Sequence, residues 1–95
     1  MKMLPVQCKM ARTALGLGIR ELASRAKVSP DTIARFERGE ALKERTVESI
    51  QAVLQAAGIE FIAADGSGGL GVRLRGPTPE PAAINVADLN SSNDE

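Results

Sequence analysis

The sequence predicts a mostly helical fold: four short helices followed by a β-hairpin and a tail. Three observations carry that reading. Up to residue 58, large apolar residues recur three or four positions apart, the period of a helix with one buried face. Glycines and a Ser-Pro pair punctuate these stretches where helices stop and start. Beyond Gly58 the period shortens to two, and beyond Gly76 the chain turns Pro-containing, polar and acidic. The expected division of the 95 residues is 1–58 for the helical domain, 59–76 for the hairpin and 77–95 for a flexible tail.

The first helix is expected from Pro5 to Leu15, because proline lacks the N–H that a first turn leaves unpaired. Cys8, Ala11 and Leu15 mark its buried face, and Gly16 and Gly18 end it. The second, Ile19 to Ala26, turns Leu22, Ala23 and Ala26 inward. The third opens on Ser29-Pro30, a capping serine followed by proline at the first helical position. It buries Ile33 and Phe36 and closes at Gly39. The fourth runs from Glu44 to Ala57 with the stripe Val47, Ile50, Val53, Leu54 and Ala57; Glu44 and Glu48 stand near its positive end, and Gly58 caps it.

Ile59-Glu60-Phe61-Ile62 and Val72-Arg73-Leu74-Arg75 alternate as strands. Their pairing sets Glu60 against Arg73 on one face and Ile59, Phe61, Val72 and Leu74 on the other, across a loose loop from Ala63 to Gly71. A lone two-stranded hairpin is marginal in water, so this one needs the helices, a second subunit or both.

Composition excludes several classes. With no His and Cys8 as the single cysteine, a Cys/His zinc cluster, an intrachain disulfide and a His-dependent nucleophile are ruled out. Cys8 reads as a small core residue of a protein in a reducing cytoplasm. No apolar run reaches membrane-spanning length, and the N-terminus has no signal-peptide core. Two aromatic residues, Phe36 and Phe61, make no stacking platform for single strands. Asp65 to Gly71 is glycine-rich, but no Gly-Lys-Ser/Thr follows, so it reads as a loop and not a phosphate cradle. No enzyme, metal or cofactor is expected. The net charge of zero hides a split: residues 1–58 hold ten basic and six acidic side chains, residues 59–95 two basic and six acidic. Such asymmetry points to an anionic partner for the first part.

Gly18 to Gly39 is the informative stretch. Ala23 lets two short helices cross closely, Val28 plugs the turn between them, and Ile33 locks the second onto the first, which is the physical content of a helix-turn-helix. Leu22-Ala23, Val28-Ser29, Thr32-Ile33 and Phe36-Glu37-Arg38-Gly39 resemble the phage-repressor/Cro (XRE-type) family of helix-turn-helix transcriptional regulators. The resemblance covers about residues 5–58, and the Gly58-Ile-Glu-Phe-Ile and Gly71-Val-Arg-Leu-Arg segments are similar to those of small bacterial members. It implies a four-helix domain of the lambda-repressor-like type. It further implies a homodimer on double-stranded DNA, with each third helix in the major groove and the pair roughly 34 Å apart.

On that resemblance the recognition helix is Ser29 to Arg38. Arg35 is the candidate for a guanine edge, Asp31 for cytosine N4 and Ala34 for a thymine methyl. Ser29 and Thr32 suit hydroxyl contacts to phosphate or base, while Pro30 brings no side-chain hydrogen bonder. Arg20, Lys27, Arg38 and Lys43 would hold the DNA backbone and set register. The resemblance also implies a buried ion pair between Arg12 and Glu37. Two positions depart from the family pattern. Ile19 replaces a phosphate-bridging glutamine and is expected to pack instead. Lys27 replaces a turn glycine, where a left-handed backbone costs on the order of 1 kcal/mol.

The expected function is a cytoplasmic, nucleoid-associated bacterial regulator, a dimeric repressor acting at an inverted-repeat operator, with Ile59, Phe61, Val72 and Leu74 as its dimerisation element. The alternative is a protein-interaction module, an antitoxin or antiactivator with little DNA binding, favoured by Pro30, Ile19 and the weak net charge. For the tail three readings stay open: disorder, a strand through Ile84 and Val86, or an acidic cover over the basic face.

Overall fold

The computed structural model describes residues 2–76. The tail, with Ile84 and Val86, lies outside the described residues. The elements are α1 (Pro5–Ala14), α2 (Ile19–Ala26), α3 (Pro30–Glu37), α4 (Glu44–Ala56), β1 (Ile59–Ile62) and β2 (Gly71–Leu74).

Local chemistry sets the helix ends. Pro5 opens α1, and the Gln7 side-chain oxygen accepts the Leu4 N–H at 3.0 Å. α1 ends at Ala14, one residue short of the expected end, with Leu15 as its C-cap, and Gly16 follows with φ +71°, a conformation that a Cβ disfavours. Gly18 does not help end α1. It is the extended N-cap of α2, and its N–H donates to Glu21 Oε1 at 2.9 Å. Lys27 does take the left-handed turn, at φ 59° and ψ 44°. The Ser29 hydroxyl accepts the Thr32 N–H at 3.1 Å and starts α3.

The core joins Cys8 and Ala11 of α1, Leu22, Ala23 and Ala26 of α2, Ile33 and Phe36 of α3, and Val47, Ile50 and Leu54 of α4. Leu15, Ile19, Val28 and Val53 pack at its margin. Met3 and Ile59, from either side of the helical stretch, are buried in the same core. Met3 is held there by its N–H, which donates to Gln51 Oε1 at 3.1 Å.

The two strands form an antiparallel pair in the register Ile59↔Leu74, Glu60↔Arg73, Phe61↔Val72 and Ile62↔Gly71. β2 therefore begins and ends one residue earlier than expected. Arg75 lies past the strand, where its N–H donates to Gly58 O at 2.7 Å and its guanidinium donates to Gln55 O at the end of α4. The loop is not loose throughout. Asp65 Oδ1 accepts from Ser67 N, Ser67 Oγ and Gly68 N at 2.8, 2.7 and 3.2 Å, closing a tight turn. Those bonds hold the Asp65 carboxyl below its usual range.

The hairpin packs on α1 and α4 of its own chain. Its connection to α1 is polar. Gln7 is fully buried, and its Nε2 donates to Ile62 O at 3.1 Å and to Gly71 O at 3.0 Å, across the last rung of the ladder. The whole amide is satisfied, which is what makes its burial tolerable. Gln7→Leu keeps the volume but removes both donors, and should cost about 2–3 kcal/mol in urea unfolding. Hydrogen exchange should quicken first in the hairpin amides; an unchanged hairpin would show that apolar packing alone holds it.

Candidate nucleic-acid interface

The outer face of α3 is presented by a helix fixed from behind. Ile33 and Phe36 point into the core, and α3 packs chiefly on α2. Its last turn is locked by charge. Arg12 Nε and Nη2 donate to Glu37 Oε2 and Oε1, both at 2.9 Å, a bidentate pair with side-chain exposures of only 15% and 8%. Arg12 Nη1 also donates to Leu17 O at 3.2 Å, so one guanidinium ties α1, the α1–α2 loop and α3 together. Such a pair adds little net stability, because desolvation offsets attraction, but breaking it strands a charge. Hydrogen bonding to Glu37 raises the Arg12 pKa further.

Cys8 completes this cluster. Its thiol donates to Glu37 Oε2 at 3.4 Å. Burial first, then the Glu37 charge and hydrogen bond, push the thiol up to about 12, against a small lowering by Arg12. It is a neutral donor in the core and no nucleophile.

On the outer face, Pro30, Asp31, Arg35 and Arg38 are exposed, and Thr32 and Ala34 are half-buried. Several of these side chains already have partners. Ser29 Oγ and Thr32 Oγ1 lie 2.9 Å apart and share a hydrogen bond. Asp31 and Arg35, one turn apart, form an ion pair at 3.1 Å. Arg38 Nη2 lies 3.0 Å from Glu40 Oε2, just past the helix. Of the other expected contacts, Arg20 is exposed at the start of α2, Lys27 in the turn before α3, and Lys43 at the N-cap of α4. Ile19 is half-buried against the core. The sequence gives no signal for the Arg38–Glu40 pair, because the Arg-Gly-Glu order places its carboxylate beyond a helix stop, where no spacing rule applies.

The hairpin residues separate. Ile59 is 1% exposed inside its own chain's core, Phe61 and Val72 are half-buried against that core, and Leu74 is 40% exposed. Glu60 pairs with Arg73 through two bonds of 3.1 Å on the opposite face. Among the described residues, no group of His, Cys, Asp and Glu is arranged to hold a metal ion, and no helix is long and apolar enough to cross a membrane.

Residues 7–61, more than half of the chain, match a family model described as a helix-turn-helix domain. Comparison with curated proteins yields no match.

The Cys8 environment carries a pH signature. A thiol raised to about 12 from its ordinary 9.0 stays protonated in the fold while the unfolded chain ionises. Its contribution is full below about pH 9 and is lost as pH rises toward the folded value, at up to about 1.4 kcal/mol per pH unit. Urea unfolding between pH 8 and 11 should show that slope in the wild type and a shallower one in Cys8→Ala. Equal slopes would place the alkaline loss elsewhere.

Proposed function

The chain belongs to the helix-turn-helix domain family, and from that premise we propose that it is a sequence-specific regulator of the phage-repressor/Cro (XRE) type, with a lambda-repressor-like helical domain. It acts as a dimeric repressor on an inverted-repeat operator, in the cytoplasm and on the nucleoid. The observation that carries this reading is α3 itself: its inner side is anchored by Ile33, Phe36 and Glu37, and its outer side offers exposed Arg35 and Arg38; Arg20, Lys27 and Lys43 are exposed as well.

The division of labour follows from chemistry. Arg35 reads a guanine edge, because its forked donors match O6 and N7. Ala34 suits a thymine methyl, and Ser29, Pro30 and Thr32 form the leading edge of the helix in the groove. Arg20, Lys27, Arg38 and Lys43 neutralise phosphates and fix the register. Dimerisation through the hairpin draws on exposed Leu74, half-buried Phe61 and Val72, and the strands' outer edges. Ile59 supports it from within the core.

A protein-binding role, as in an antitoxin or antiactivator, has one observation in its favour: Arg35 and Arg38 each already face a carboxylate, which lowers the positive potential of the α3 face. Selection from a random duplex library separates the two readings and reports the half-site spacing. For the regulator, a palindromic site emerges and affinity falls steeply with salt. Arg35→Ala should relax preference at one base position, at a cost of about 1–3 kcal/mol, while Lys43→Ala weakens all sequences alike. No selected sequence, together with retention of the chain by a specific protein, would favour the alternative.

Lys27 gives a separate test. Lys27→Gly relieves the left-handed backbone and should stabilise the fold by up to about 1 kcal/mol, yet weaken DNA binding through the lost charge. A variant that is stabilised and binds DNA as before would remove Lys27 from the interface.

A further inference from the structure

The Asp31–Arg35 pair bears on how α3 meets a base. Asp31 Oδ2 lies 3.1 Å from Arg35 Nε, the guanidinium nitrogen nearest the side-chain stem. The side chains are 44% (Arg35) and 74% (Asp31) exposed, so the pair does not fill the core. Among the described residues Arg35 has no second ion-pair partner. The nearby Ser29 and Thr32 hydroxyls are occupied with each other at 2.9 Å and do not compete for the carboxylate.

A guanidinium whose Nε side faces a carboxylate keeps both terminal nitrogens free, and their outward edge is the one that matches guanine O6 and N7 together. Contact at Nε also removes rotamer freedom that an unpaired arginine would lose only on binding. The carboxylate is then unsuited to a base contact of its own, since its charge is directed to the arginine. It also adds a negative charge to a surface that meets phosphates, which lowers affinity for any duplex.

We infer that Asp31 is a positioning residue for Arg35, holding the guanidinium at Nε so that its terminal nitrogens present end-on to a guanine. This rests on the reading of α3 as the DNA-reading helix. Asp31 thereby trades general affinity for discrimination at one base pair, and does not itself read cytosine.

The test uses the full chain and the variants Asp31→Ala, Asp31→Glu, Arg35→Ala and the double variant with alanine at both positions. Each is titrated against the selected duplex, against duplexes changed at one position at a time, and against random-sequence duplex. Arg35→Ala should lower the guanine preference at one position by about tenfold or more. Asp31→Ala should lower it at that same position by about threefold, while random-duplex binding tightens. Asp31→Glu, which still reaches Arg35 one turn on, should keep the preference, and Asp31→Ala should add nothing once Arg35 is alanine.

Asp31 also stands in the first turn of α3, where a carboxylate favours the helix. Were that its whole role, Asp31→Ala would lower the melting temperature and weaken all duplexes alike, with the base preference unmoved. That result overturns the inference, as does a changed preference at a different position or an effect that survives without Arg35. If the wild-type chain selects no sequence, or Arg35→Ala alters no position, the DNA-reading role of α3 falls and the inference falls with it.

Discussion

Glu37 accepts two hydrogen bonds from Arg12 and one from Cys8, and the orientation of α3 depends on that carboxylate. Apolar packing alone leaves a short helix some freedom to roll, since Ile33 and Phe36 are only three residues apart on an eight-residue segment. A bidentate pair has direction as well as reach, so it fixes rotation about the helix axis where apolar contact does not. The same guanidinium holds the Leu17 carbonyl, and so the loop leading into α2. Both helices of the helix-turn-helix are thereby referred to α1.

Gln7 does for the hairpin what Arg12 does for α3. The two lie five positions apart on α1, one reaching the strands and the other the end of α3. Between them Cys8 and Ala11 fill the apolar seam. A ten-residue helix thus carries two polar locks and a small-residue interface. That explains why its inner face is less apolar than those of the other helices: close approach and directed bonds replace bulk.

The stretch from α2 to α3 was legible in the sequence because its signals are local. Ser29-Pro30, Gly39 and the inward Leu22, Ala23, Ile33 and Phe36 act within one or two turns of themselves. The strands were legible by alternation, and the Glu60–Arg73 pairing followed from the register. What the sequence did not disclose depends on distant partners. A hydrophobic period has no place for Gln7, whose burial is tolerable only because two carbonyls more than fifty residues away accept its protons. Met3 lay outside any helical pattern. Asp65 reads only as loop in the sequence, because its three bonds arise from a turn conformation that glycine-rich composition conceals. The four-residue spacing of Asp31 and Arg35 is that of a one-turn pair, but the family resemblance points each of them to a base instead.

The separation between Gln7 and its acceptors has a consequence for how the chain is made. Gln7 leaves the ribosome 64 residues ahead of the Gly71 carbonyl that accepts from it. Until then the Gln7 Nε2 on the inner face of α1 lacks its two carbonyl acceptors, and that face is poorly suited to close. The pairing of α2 with α3 needs no such wait, being short-range. Although made before α2 and α3, α1 therefore reaches its final bonding after they do, and a nascent chain stalled before the hairpin would expose the seam around Cys8 to whatever chaperone or protease meets it.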